Sequence, residues 1–229
     1  MNRYHIYLPR KTAALNAAVH TLARSGLSFA ETPEEANILL LPVPTPKDLC
    51  PPVQPGQLVI GGAIENGLDL LKDPVYLAEN AAITAEAALG ILLSTLPCSL
   101  RGCRILLLGW GRIGACLGKM LTSLGAAVTV YDRKPEKCAL LRALGYPVCG
   151  EIPASESFRA VINTIPAEIF PASAVFPPDC IRLDLASGIF LPGDGVVSAL
   201  GLPGKYRPEA SGRLIADRVL AFLKGGTFL

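Results

Sequence analysis

Histidine is nearly missing from this 229-residue chain, which has two, His5 and His20, both close to its start. With so few imidazoles, a zinc site or a Cys-His nucleophile has little to build on. The seven cysteines, Cys50, Cys98, Cys103, Cys116, Cys138, Cys149 and Cys180, include no C-x-x-C pair. An odd, scattered set of this kind argues against a disulfide framework and reads as reduced, mostly buried thiols, so no metal site is expected. Lys and Arg form no cluster, and 21 basic against 19 acidic residues leave a net charge of +2. Neither a nucleic acid nor an anionic membrane surface is therefore implied. No apolar run reaches the ~18 residues that would span a bilayer. Met1-Asn2-Arg3-Tyr4-His5 is not followed by a signal-peptide core, and the expectation is a cytosolic protein.

What is abundant is apolar: 51% of the residues are hydrophobic, enough for one large or two small α/β domains. The chain is organised around Arg101 to Asp132, RGCRILLLGWGRIGACLGKMLTSLGAAVTVYD. Ile105 to Leu108 is a run of large aliphatic residues suited to a strand buried on both faces of a parallel sheet. Gly109, Gly111 and Gly114 follow in the spacing G-x-G-x-x-G. Arg112 to Leu124 then has helical periodicity, with Gly125 at the helix end, and Ala127 to Tyr131 is a second strand. In this pattern the first glycine allows the turn, the second lets a pyrophosphate approach, and the third lets helix and strand pack closely. The fold class expected is α/β, a doubly wound parallel sheet of the Rossmann type beside a smaller N-terminal α/β domain, the two joined by a long helix.

Asp132 stands about 20 residues beyond the motif, at a strand end, where an acid accepts hydrogen bonds from a ribose and favours NAD. Arg133 and Lys134 beside it could neutralise a 2′-phosphate and favour NADP, or simply begin a solvated helix. The candidate cofactor residues are Gly109, Trp110, Gly111, Arg112, Ile113, Gly114, Tyr131, Asp132, Arg133 and Lys134. A glycine-rich turn that binds nothing is the plain alternative.

Along the rest of the chain, Tyr4 to Leu8, Asn37 to Val43 and Leu58 to Ile60 read as strands, and Lys11 to Arg24 as a helix ended by Gly26. His5 should point outward on its strand, and His20 should lie on a helix surface. A short helix is expected around Glu65 to Leu71, a last short strand at Tyr76-Leu77, and a long connecting helix over Glu79 to Leu96. Near the start of that helix, Thr84 and Glu86 read either as a substrate-facing pair or as a cap hydroxyl with a first-turn acid. Spacing favours the second. Pro135 to Leu144 is a helix, and Phe158 to Asn163, Ile181 to Leu185 and Val196 to Ala199 are strands. The turns Thr164-Ile165-Pro166 and Ala186-Ser187 fall at carboxyl ends of parallel strands, where a nicotinamide ribose would lie, although Thr164 and Ser187 could each simply be a turn residue. Gly201 to Pro208 reads as a rigid loop that shapes a pocket, and Glu209 to Leu223 as a terminal helix long enough to return to the first domain. The domains implied are 1–80, a connecting helix over 81–100, a nucleotide domain over 101–207, and 208–229 returning to the first.

The ordered motifs LLLPVP (Leu39 to Pro44), ITAEAALG (Ile83 to Gly90), LLGWGRIG (Leu107 to Gly114), INTIP (Ile162 to Pro166), LDLAS (Leu183 to Ser187) and GLPGKYRPEASG (Gly201 to Gly212) resemble the dipicolinate synthase A-subunit family. More distantly, the layout is similar to the NAD domains of D-2-hydroxyacid dehydrogenases and S-adenosylhomocysteine hydrolases. The resemblance implies a pyridine-nucleotide enzyme that oxidises a dihydrodipicolinate-type ring to dipicolinate, the calcium-chelating acid of bacterial spores. It implies as partner the flavoprotein-like B subunit of dipicolinate synthase, and it tips the cofactor slightly to NADP. It also puts Pro42 and Val43 on the substrate side and leaves proton handling to Glu86, with Thr84 nearby. Two departures stand out: the first domain is short, and Gly188-Ile189-Phe190 replaces the arginine and Pro-Gly-Gly that the family places after LDLAS. That arginine would pair with a carboxylate of a small dicarboxylate-type substrate, and Arg207 or Arg182 is the candidate to replace it. A dehydrogenase of another small acid and a nucleotide-binding or interaction protein without turnover are the competing functions. A homodimer is compatible with the composition.

Overall fold

The structure, a computed structural model, describes residues 4–49, 52–152, 158–171, 174–198 and 201–225. The chain divides into two compact units, Met1–Ile83 with Pro203–Leu229, and Thr84–Leu202.

The first unit is a parallel sheet of β1 (His5–Tyr7), β2 (Ser28–Phe29), β3 (Ile38–Leu40), β4 (Leu58–Gly61) and β5 (Leu68–Asp69) in the order β2-β1-β3-β4-β5. Helix α1 (Ala13–Arg24) is capped by Thr12, whose hydroxyl accepts the Leu15 N–H at 3.1 Å, and it stops where Gly26 takes φ +83°. Its Leu15, Ala18 and Leu22 recur on one face and enter a core with Ile6, Ile38, Leu40 and Ile60. Leu214, Ile215 and Val219 of the terminal helix α6 (Pro208–Leu223) close that core. The two helices touch through backbone: a Cβ on Gly212 would lie 2.3 Å from the Ala14 carbonyl oxygen. His5 and His20 are exposed, as their positions predict.

Two local expectations fail here. Glu65 to Leu71 is not helical: Gly67 takes φ +121°, and the Asp69 carboxylate accepts the N–H groups of Ala63 and Leu71, both at 2.9 Å. Strand β5 and a 3₁₀ turn over Leu70–Lys72 result. Tyr76-Leu77 is not a strand but lies in α2 (Pro74–Thr95). Asp73 accepts the Val75 N–H at 2.9 Å, and Pro74 takes the first helical position, so the helix starts five residues before Glu79. Buried Asp73 also takes a 2.5 Å hydrogen bond from Arg218 Nε of α6. Of the described helices, α2 is long and apolar enough to cross a membrane by length and composition alone. Its Tyr76, however, lies in the first unit's core, and its Ala85, Ala88 and Leu92 lie in the second's.

The second unit is built on β6 (Arg104–Leu108), β7 (Ala127–Tyr131), β8 (Val148–Cys149), β9 (Ala160–Asn163), β10 (Ile181–Asp184) and β11 (Val197–Ser198), all parallel. Read from β8, the strands run third, second, first, fourth, fifth, sixth, the doubly wound order of dinucleotide-binding sheets. Helices α3 (Arg112–Ser123) and α4 (Pro135–Ala143) connect β6 to β7 and β7 to β8. One sheet face packs Ile105, Leu107, Val130, Ile162 and Leu183 against Leu117 and Leu121 of α3. The other carries Leu106, Leu108, Val161 and Phe158 under Ile169, Phe170 and Phe176. Strand β11 is shorter than expected, and Ala199 lies outside the described residues. The stretch from Gly201 to Pro208 is not a simple loop, because α5 (Leu202–Tyr206) forms there. The cysteines described are all free; Cys103, Cys138 and Cys180 are buried, Cys98 is exposed, and Cys50 is outside the described residues.

Candidate functional site

The switch point of the second sheet lies between β6 and β9, where chain connections leave in opposite directions and ligands enter at the carboxyl ends of the strands. Gly109 ends β6 at φ +94°, and a Cβ there would fall 2.6 Å from Thr164 Oγ1 and 2.8 Å from Ile165 Cγ1. Gly114 has no room either, since its Cβ would lie 2.2 Å from the Gly109 carbonyl oxygen. A Cβ on Gly111, by contrast, would meet nothing within 4 Å. The three glycines thus divide the work in the way their spacing predicts: two close contacts within the protein and one open approach. Helix α3 begins immediately after Gly111, and the first turn leaves the N–H groups of Arg112, Ile113 and Gly114 without intrahelical acceptors. These donors and the positive helix end have the chemistry to hold a phosphate.

Asp132 fixes this turn from below. Its Oδ2 accepts the Trp110 N–H at 3.0 Å, and its Oδ1 accepts the Lys134 N–H at 3.0 Å. Lys137 Nζ lies 3.6 Å from the same carboxylate and donates to the Trp110 carbonyl at 3.1 Å. Burial pushes the Asp132 carboxyl up, but the two amide donors and the Lys137 ammonium outweigh it and hold the pKa below the ordinary aspartate value. The group is therefore an anion at neutral pH. Arg133 and Lys134 are exposed beside it, Tyr131 is buried at the strand end, and the Trp110 ring packs on Tyr146 with centroids 4.9 Å apart.

Thr164 and Ile165 close the opposite side. The Thr164 hydroxyl donates to the Leu108 carbonyl at 2.8 Å, so it locks β9 to the end of β6 instead of being presented to a ligand. Two buried polar residues that the sequence motifs did not single out shape the remaining turns. Asn163 holds Ile165 by both its carbonyl and its amide, at 2.9 and 3.0 Å, and donates to Asp184 Oδ1 at 3.0 Å. The Asp184 carboxylate also accepts the N–H groups of Ala186, Phe190 and Leu191, which sets the course of the chain around Ser187. Both residues sit inside INTIP and LDLAS, but only the neighbouring strands bring them together. Pro166 and Ser187 are exposed and Ala186 is buried. Gly109 to Gly114, Asp132, Thr164 to Pro166 and Ala186-Ser187 therefore all stand at one end of one sheet.

The other candidates are less well assembled. Thr84 and Glu86 are two residues apart on α2, hence on opposite faces; Thr84 is buried and Glu86 exposed. Neither is near the helix start, so the capping alternative does not apply. Arg182 donates to the carbonyls of Pro192 and Asp194 and lies over the Phe176 ring, so it braces a loop and is not available as a carboxylate partner. Within the first unit, Pro42 and Val43 line a pocket of about 280 Å³. Arg207 lines a different one, of about 570 Å³, with Glu79, Glu209, Arg213 and Asp217. The three residues assigned to substrate do not share a pocket. Among the described residues, no group of three or more His, Cys, Asp or Glu side chains is placed to hold a metal ion.

The sequence matches no family model and no curated protein. Solved structures match it throughout. The A subunit of dipicolinate synthase from Bacillus halodurans superposes with a TM-score of 0.77 at 19% identity, over 97% of this chain and 98% of that one. The corresponding protein of dipicolinate synthase from Bacillus subtilis gives 0.76 at 18% identity, over 98% and 97%. An NADPH-dependent glyoxylate/hydroxypyruvate reductase from Sinorhizobium meliloti gives 0.60 at 18% identity, over 100% and 96%. The likeness is one of fold. The chain has the α/β, Rossmann-like fold found in these proteins, and the strand orders of both sheets agree with it.

Proposed function

We propose that this chain is an NAD(P)-dependent oxidoreductase resembling the dipicolinate synthase A subunit, which oxidises a dihydrodipicolinate-type ring to dipicolinate in the cytosol. The observation that carries the reading is the β6–α3 turn, with Gly111 open to solvent, three helix N–H groups free of intrahelical acceptors and an anionic Asp132 beside them. These residues fit a dinucleotide. Arg112, Ile113 and Gly114 would hold the pyrophosphate, and Asp132 would accept from the adenosine ribose. The turns at Thr164 to Pro166 and Ala186-Ser187 would border the nicotinamide ribose. When bound, the dinucleotide supplies the hydride acceptor.

At the adenosine end two charges compete. Asp132 repels a 2′-phosphate, but Lys137 offsets its charge, while Arg133 and Lys134 stand exposed with no ion pair among the described residues; the balance favours NADP slightly. Proton handling is assigned to Glu86, which is exposed, and not to Thr84, which is buried on the opposite helix face. Pro42 and Val43 would line the substrate side, with Arg207 as a carboxylate partner in its own cavity. The flavoprotein-like B subunit of dipicolinate synthase and a second copy of the chain are the partners that this reading carries. A dinucleotide-binding protein without turnover is the second reading, and the bracing role of Arg182 favours it by removing one replacement for the missing arginine.

Fluorescence titration with NADPH and NADH, on the wild type and on Gly111→Asp, tests the cofactor site. Binding of either nucleotide that the variant abolishes supports it, and weaker NADPH binding in Arg133→Ala with unchanged NADH binding supports the NADP preference. No binding of either nucleotide to the wild type overturns the oxidoreductase reading of this chain. Turnover with dihydrodipicolinate, set against a panel of 2-oxo and 2-hydroxy acids, separates the proposed substrate from another small acid, and binding without turnover on any of them selects the second reading.

A further inference from the structure

The first unit has a switch point of its own. In the order β2-β1-β3-β4-β5, the connections from β1 and β3 diverge, and open α/β sheets take ligands in the crevice at the carboxyl ends of such strands. The pocket of about 280 Å³ is lined there by Pro42 and Val43, which follow β3, and by Thr12 and Leu15 at the start of α1. Lys205 of α5 and Ser211 and Ile215 of α6 complete it.

Three observations describe what this pocket would hold. Ser211 is only 5% exposed, and its hydroxyl has no hydrogen-bond partner among the described residues; its N–H alone is engaged, by the Arg207 carbonyl. The Ser211 oxygen is not among the fully enclosed polar atoms without a partner, so it reaches the pocket, where water or a ligand can meet it. The 12-residue helix α1 opens onto the same space, and with Thr12 capping Leu15, the N–H groups of Ala13 and Ala14 have no intrahelical acceptor. Lys205 is the cationic lining residue, and none of the lining residues is acidic. The remaining wall, from Leu15, Pro42, Val43 and Ile215, is apolar. Donors, positive charge and a helix N-terminus on one side with aliphatic surface on the other match an anion on a small apolar body. The larger cavity around Arg207 lacks that character, because three carboxylates line it.

We propose that this pocket binds the carboxylate of a small ring acid through Lys205, Ser211 and the first turn of α1. Identifying that acid with the substrate rests on the oxidoreductase reading; the binding itself does not. Lys205 and Ser211 then hold one carboxylate of the acid, in a pocket separate from the cavity of Arg207.

Calorimetric titration of the full chain with pyridine-2,6-dicarboxylate tests this, with NADPH titrated in parallel on the same proteins. Lys205→Met should weaken dicarboxylate binding by about tenfold or more, and Ser211→Ala by about fivefold, as loss of a charge-assisted and of a single hydroxyl hydrogen bond would. Lys205→Arg should retain most of the affinity, which separates loss of charge from misfolding. Arg213→Met, in the larger cavity, should bind the acid as the wild type does, and NADPH binding should be unchanged in all four variants. Wild-type protein that does not bind the acid overturns the proposal. So does equal binding by Lys205→Met and Ser211→Ala, or a loss confined to Arg213→Met. Dicarboxylate binding sensitive to Lys205 and Ser211 in a protein that binds no dinucleotide upholds the pocket and overturns the oxidoreductase reading.

Discussion

At the scale of single residues, the candidate cofactor site is built around a buried anion. Asp132 is 8% exposed, and its two oxygens hold the amides of Trp110 and Lys134 while Lys137 approaches at 3.6 Å. Because these donors lower its folded-state pKa, its contribution to stability is complete above the unfolded carboxyl value of about 4 and is lost as the pH falls through the lower folded value. Asp132→Asn should therefore cost about 2 kcal/mol near neutral pH, the scale of hydrogen bonds to a charged acceptor. The gap between variant and wild type should narrow below pH ~4 as the wild-type carboxyl protonates. Urea denaturation at a series of pH values measures this; a gap that stays constant to pH ~2.5 would show that the charge does not contribute. The glycine motif and the acid after it were legible in the sequence because their chemistry depends on fixed spacing along one strand-turn-helix unit. Asn163, Lys137 and Asp184 were not, because their partners lie on other strands and turns. The Thr164 hydroxyl serves the protein's own backbone, which agrees with its plain reading as a turn residue.

At the scale of elements, the contact between α1 and α6 is set by absence of a side chain. A Cβ on Gly212 would meet the Ala14 carbonyl oxygen at 2.3 Å and the Ala18 nitrogen at 2.7 Å, and both are backbone atoms that cannot rotate away. Gly212→Val should force the helices apart and cost roughly 2–3 kcal/mol, the scale of core overpacking. Gly111→Ala should stay within ~1 kcal/mol, because its new Cβ enters open space. Comparing the denaturation midpoints of the two variants tests the distinction, and equal losses would contradict the close approach at Gly212. Longer elements were legible wherever burial is continuous or one-sided, as in Ile105 to Leu108 and the α1 face of Leu15, Ala18 and Leu22. The two-residue strands β2, β5 and β8 are too short to carry a period. Gly and Pro break helices, so Gly201 to Pro208 has the composition of a loop, yet Pro203 stands in the first turn of α5, where a missing N–H leaves no hydrogen bond broken.

At the scale of the whole chain, the two units have separate cores and separate strand orders, and one probe reports on one of them. The chain's single tryptophan is Trp110, in the glycine turn, where its amide is held by Asp132 and its ring by Tyr146. Its fluorescence therefore follows the second unit and its candidate cofactor site, whereas far-ultraviolet circular dichroism follows both units. A ligand that binds only the folded state stabilises it by about 2.7 kcal/mol when present at one hundred times its Kd. If NADPH binds at the β6–α3 turn, the transition seen by Trp110 should move up by that amount at that concentration, with quenching of its emission before unfolding begins. Gly111→Asp should remove both effects while leaving the transition of the ligand-free protein close to that of the wild type, since position 111 faces open space. A shift in the dichroism curve without any change at Trp110 would place the nucleotide elsewhere in the molecule. Stabilisation that survives in Gly111→Asp would mean that the helix N-terminus of α3 does not hold the pyrophosphate.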